Sequence, residues 1–119
     1  MNKLYTLFAS LFCVLNTNSQ VVVTEINYNS DSTISSGNWI EIQNRGNAAV
    51  DLTGWQFTDK SPSNIFNFPS GKTLLPGEII VITNDPAKFT NQYPSVTNYI
   101  GSFNFNLSGN ADSIVLYNA

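Results

Sequence analysis

The side chains that most often exchange protons, attack carbonyls or hold zinc are scarce in this sequence. It has no histidine, and its single cysteine, Cys13, lies within an apolar stretch near the N-terminus. Residues 20–119 therefore cannot assemble a Ser-His-Asp or Cys-His arrangement, a thiol centre or a Cys/His zinc site. Carboxylates remain. Glu25 and Glu41 each sit in an alternating apolar segment, and they would form an acid and base pair of the glycosidase kind only if their strands were neighbours. Nothing else of a site accompanies them, so they read as polar-face residues of two half-buried strands, and no catalytic residue is assigned.

Oxygen ligands for a hard cation are the next chemistry to weigh. Asn29, Asp31, Asp59, Asp85 and Asp112 all fall in loop-forming composition. None shows the dense alternating spacing of a calcium loop, and turn formation and helix capping account for such residues. No metal and no cofactor is expected. Aromatic side chains could stack on a ligand, but Tyr28 and the phenylalanines recur at strand spacing, which marks a core. Trp39 opposes Ile40 and Ile42 along its strand and is expected to be the exposed tryptophan, whereas Trp55 follows the Gly54 bend into an apolar strand and is expected in the core. Trp39, Asn29 and Asp31 are the ligand-binding candidates.

The elements that must position these residues are strands. In 21–28, Val22, Thr24, Ile26 and Tyr28 alternate with Val21, Val23, Glu25 and Asn27; in 39–43, Ile40 and Ile42 alternate with Trp39, Glu41 and Gln43. Short strands are predicted at 49–52, 54–58 and 65–68, with turns at Thr53-Gly54 and Pro69-Ser70-Gly71. Leu75-Pro76-Gly77 meets the demands of a type II turn, and the run 79–83 reads as a central strand buried on both faces. Asp85, Pro86, Phe89 and Tyr93 predict a short capped helix near 85–93. Phe103, Phe105 and Leu107 alternate, as does 113–117, and the two segments read as a hairpin. Many short strands with turns between them indicate an all-β sandwich or barrel.

The N-terminus reads as an export signal. Lys3 begins it, an apolar run occupies 4–15, and Thr17 and Ser19 supply small residues before a cut after Ser19. The apolar run is too short to cross a bilayer as a helix. Phe12 before Cys13 is too bulky for a lipoprotein site. Removing residues 1–19 takes away Lys3 and makes the formal net charge of −3 one unit more negative, a balance that repels phosphate backbones, so nucleic acid is a poor partner. Charged residues make up only 11% of the chain, yet aromatics reach 13%, which sets it apart from disordered sequences.

Five motifs, taken in order, carry a resemblance: Thr24-Glu25-Ile26, Trp39-Ile40-Glu41-Ile42-Gln43-Asn44, Asp51-Leu52-Thr53-Gly54-Trp55, Phe68-Pro69 and Leu75-Pro76-Gly77. Their order and spacing over almost all of 20–119 resemble the lamin tail domain, and the Asp-Leu-Thr-Gly-Trp piece is the most specific part. The resemblance implies an immunoglobulin-like β-sandwich without catalytic groups, of a kind found in secreted and surface proteins of bacteria, often beside other modules. Two departures stand out. Thr24 replaces the Asn usual before Glu-Ile, and the family continues beyond a strand like 113–117 into a closing strand, so a final strand is expected to be missing and the sequence to be a fragment. The function expected is a non-catalytic interaction or adhesion module that binds a protein or glycan at the cell surface. The alternative is an accessory domain of a secreted hydrolase, a nuclease or protease, whose catalytic part lies elsewhere.

Overall fold

The computed structural model describes residues 20–28, 33, 35–108 and 113–119. The predicted export signal at 1–19, and Asn29, Asp31 and Asp112, lie outside them. In chain order the described strands are β1 (Val21–Asn27), β2 (Trp39–Asn44), β3 (Val50–Asp51), β4 (Gln56–Thr58), β5 (Ile65–Asn67), β6 (Thr73–Leu74), β7 (Ile79–Thr83), β8 (Tyr99–Gly101) and β9 (Val115–Tyr117), with helix α1 (Pro86–Gln92) between β7 and β8. They form a four-stranded sheet ordered β1-β2-β7-β8, a three-stranded sheet ordered β5-β4-β9, and a β3-β6 ribbon.

Alternation drives the assembly. Ile40 and Ile42 of β2 and Ile80 and Ile82 of β7 are fully buried on the inner face of the larger sheet. They meet Phe57 and Phe66 of the smaller sheet and Leu74 of the ribbon in one apolar cluster, giving an all-β sandwich. Phe57 is the hub of its aromatic part, with Phe66, Phe103 and Phe105 at centroid separations of 5.3, 5.2 and 5.7 Å. Each buried aromatic of this size contributes on the order of 2 kcal/mol or more by leaving water.

Several expectations hold. Glu78 donates its backbone N–H to the Leu75 carbonyl at 3.0 Å across Pro76-Gly77, and Gly77 takes φ +78°, as a type II turn requires. Asp51 accepts the Thr53 N–H at 2.9 Å and its hydroxyl at 2.6 Å, and these two bonds hold its carboxyl below the usual aspartate range. Asn44 is fully buried at the end of β2, where its amide donates to the Ala48 and Leu74 carbonyls at 2.8 and 2.9 Å while its oxygen accepts the Gly46 N–H at 2.9 Å. One side chain thus ties β2 to β6 through one bond and braces the turn after β2 through two.

Three expectations are corrected, and one strand is new. The register of β1 against β2 shifts between Val23 and Glu25, a bulge at Thr24. The extra residue separates Val21 and Val23, which pack on the core, from Glu25, which strict alternation had put on their face. The segment holding Phe103, Phe105 and Leu107 buries all three rings and chains but forms no strand, and 113–117 supplies β9, which pairs with β4 rather than with it. The expected hairpin is therefore replaced by core filling. Strand β8 was unforeseen; it lies parallel to β7, the connection between them being α1 and the residues after it. Trp39 is buried rather than exposed, and Trp55 packs on the main core but is only half-buried.

Candidate functional site

The outer face of the larger sheet explains why Trp39 is buried. Residues paired directly across strands project to the same side, so Glu25, Glu41, Val81 and Tyr99 form one row across all four strands. A second row runs through Asn27, Trp39, Thr83 and Gly101. Helix α1 packs on Trp39 and Gly101 of the second row and on Val81 and Tyr99 of the first, and leaves Glu25 open.

Local chemistry seats that helix. Asp85 caps it by accepting the Lys88 N–H at 3.0 Å, and Pro86 occupies its first turn. The Lys88 N–H, followed by the Lys88 side chain 3.2 Å away, holds the Asp85 carboxyl below the usual aspartate range. A Cβ at Gly101 would stand 2.5 Å from Cγ of Pro86, so the close approach of α1 to β8 depends on glycine there. Phe89, turned onto the sheet, is 2% exposed and Trp39 7%. The Trp39 indole meets Phe89 and Tyr93 edge-on, each at 6.0 Å. Its Nε1 donates to Ser36 Oγ at 3.3 Å, and the same oxygen accepts from Asn27 Nδ2 at 3.0 Å. The exposure expected for Trp39 is thereby corrected, while its indole still lines the groove described below. Alternation assigned it rightly to the face opposite Ile40 and Ile42, but α1 seals that part of the face.

Beyond α1 the chain turns at Val96, whose N–H donates to the Tyr93 carbonyl at 3.1 Å, and returns along β7. Asn98 fixes this return. Its Nδ2 donates to the Ile79 carbonyl at 2.6 Å and to Glu78 Oε1 at 3.0 Å, and its Oδ1 accepts from Lys72 Nζ at 3.0 Å. The result is a groove of about 480 Å³. Val81 and Ile79 form its floor, Phe89, Tyr93 and Val96 one wall, and Glu25 and Glu41 its opposite margin. Ile79 is 42% exposed within it.

The two carboxylates singled out in the sequence are thus brought together, on neighbouring strands and in direct register. Glu41 Oε1 accepts the Thr24 hydroxyl at 2.6 Å, so Thr24 serves the acidic margin from the bulge. Among the described residues no lysine or arginine forms an ion pair with either glutamate. Asp59 is drawn into its own loop, accepting the Ser61 N–H at 2.7 Å and Asn64 Nδ2 at 2.8 Å. Asp85 serves the helix. Among the described residues no three His, Cys, Asp or Glu side chains gather as a metal site.

Phe89, Tyr93, Val96 and Asn98 were missed as site residues. The four-residue spacing of Phe89 and Tyr93 did signal an apolar helix face; what it lacked was the face of the sheet that the helix would meet.

A second, smaller concavity of about 360 Å³ lies on the other sheet, between Thr58, Lys60, Pro62, Ile65 and Tyr117. It lacks the aromatic wall of the first. No curated protein matches the chain. A family model described as Lamin Tail Domain matches residues 16–119, and that family is an immunoglobulin-like interaction domain. With the sandwich in place, and with the Asp51-Thr53-Gly54 turn and the Pro76-Gly77 turn formed where its motifs lie, this chain belongs to the lamin tail domain family.

Proposed function

We propose that the protein is a non-catalytic interaction module of an exported bacterial protein, secreted or held at the cell surface, and that it engages a protein partner through the groove beside α1. The observation that carries this reading is the groove itself, an apolar and aromatic trough on the sheet face, along one margin of which stand two carboxylates that form no ion pair with any described lysine or arginine. Its volume lies in the range of about 300 to 1,000 Å³ usual for binding sites, and exposed apolar surface rimmed by polar groups marks such sites. The absence of histidine and of any cysteine after Cys13 supports binding rather than turnover. Export is supported by the basic, apolar and small-residue pattern of the first nineteen residues.

Site-specific photocrosslinking tests the reading. A benzophenone amino acid would replace Ile79 in the groove, or Ile65 on the opposite sheet, in the full chain expressed with its N-terminal segment. Light-dependent adducts to a discrete surface protein are expected from position 79 and not from position 65. Adducts of equal yield from both positions, or from 65 alone, would refute the groove as the binding face.

A further inference from the structure

The acidic margin narrows the partner further. Two like charges placed directly opposite each other on an antiparallel pair destabilise the sheet. Glu25 and Glu41 hold that arrangement with no ion pair to any described lysine or arginine. The floor next to them, Val81 and Ile79, is apolar, and Tyr93 and Phe89 form the wall. A cation arriving there would cancel the repulsion between the carboxylates while its hydrocarbon stem lay over Val81, the division between charged head and apolar stem that lysine and arginine side chains provide. An anionic or uncharged polar occupant would leave the two carboxylates uncompensated.

We infer that the groove binds a peptide segment in which a lysine or arginine is flanked by apolar residues. The cation lies between Glu25 and Glu41, and the neighbouring apolar side chain occupies the trough between Ile79, Val81 and Val96. This deepens the interaction-module reading and rests on it. A peptide fits better than a free amine because the trough extends from the row holding Glu25 and Glu41 to Ile79, which pairs with Gln43 two residues further along β2, and so accommodates more than one side chain.

The test uses fluorescence anisotropy of labelled hexapeptides with the full chain. One alternates lysine with leucine, a second has glutamate in place of lysine, and a third has serine in place of leucine. The lysine–leucine peptide is expected to bind at least ten-fold more tightly than either of the others, and its binding to weaken with salt because the exposed carboxylates are screened. Glu25→Lys supplies the discriminating variant. It turns the like pair opposite Glu41 into an opposite pair, so its melting temperature should equal or exceed that of the parent, while affinity for the lysine–leucine peptide falls at least ten-fold. Equal binding of the lysine and glutamate peptides, or undiminished binding by a folded Glu25→Lys, overturns the inference. In that event adducts at position 79 but not 65 would still support the groove as a docking face, so the two readings fail separately.

Discussion

The two faces of the larger sheet are built from the same strands and end in opposite states. On the inner face Ile40, Ile42, Ile80 and Ile82 are sealed by a second sheet, a ribbon and the 103–107 segment, and no part of those side chains reaches water. On the outer face a seven-residue helix covers part of the sheet, burying Trp39, Val81 and Phe89, and leaves Ile79 and Glu25 exposed and Glu41 half-buried. Alternation determines which side of a strand a residue faces, whereas burial depends on what the rest of the chain lays over that side. A short helix on a broad sheet makes a groove because it is too small to cover the face.

Truncations at matched aromatic positions give the largest effects and probe this comparison first. Phe57→Ala in the inner core and Trp39→Ala under α1 are each expected to lower unfolding free energy by roughly 3 to 5 kcal/mol, the range for large aromatic truncations. Trp55→Ala, at a half-buried position, should cost less than either. Urea denaturation of the three variants measures the order. A Trp39→Ala loss no larger than that of Trp55→Ala would show that α1 does not seal the outer face.

A smaller effect is expected where helix meets sheet. Gly101→Ala forces a methyl group against the Pro86 ring, and such overpacking costs about 1 to 3 kcal/mol. Relief by moving α1 would widen the groove, so Trp39 emission should shift to the red even where the fold persists. Unchanged stability and emission together would contradict the tight seat of the helix.

Parts of this arrangement were legible in the residues and parts were not. The Asp85-Pro86 start of α1, the Pro76-Gly77 turn and the Asp51 turn are local devices, each complete within a few residues, and all three formed as read. Strands β2 and β7 alternate or run apolar long enough to declare themselves. What failed required knowledge of distant partners. The bulge at Thr24 leaves no mark in a strand of good β-formers, so Glu25 was assigned to the wrong set of neighbours. Phe103 and Phe105 show strand periodicity because both point inward, yet a backbone ladder needs a partner that periodicity cannot supply. The adjacency of Glu25 and Glu41 depends on strand order, which comes from the pairing of β1 with β2 and not from any local pattern. Trp39 was assigned to the correct face but not to its cover.

The smallest effects are electrostatic and separate the turn from the helix. The carboxyls of Asp51 and Asp85 sit below the ordinary aspartate value when folded, so each contributes stability above that value and loses it as pH falls through the folded one. Asp51→Asn and Asp85→Asn should therefore lower melting temperature slightly at neutral pH, with the difference from the parent shrinking as acid protonates the folded carboxylates. A difference that persisted undiminished into strong acid would mean that the lost contacts do not depend on the ionised carboxylate.

The central claim is that the half-covered outer face, and not the opposite sheet, is where this module binds. Amide and indole chemical shifts of isotope-labelled protein titrated with the lysine–leucine hexapeptide test it most directly. Perturbations are expected to concentrate at Glu25, Glu41, Ile79, Val81 and Val96 and at the Trp39 indole N–H, with Gln56, Thr58 and Tyr117 unmoved. Perturbations gathered on Gln56, Thr58 and Tyr117, with the groove silent, would contradict it.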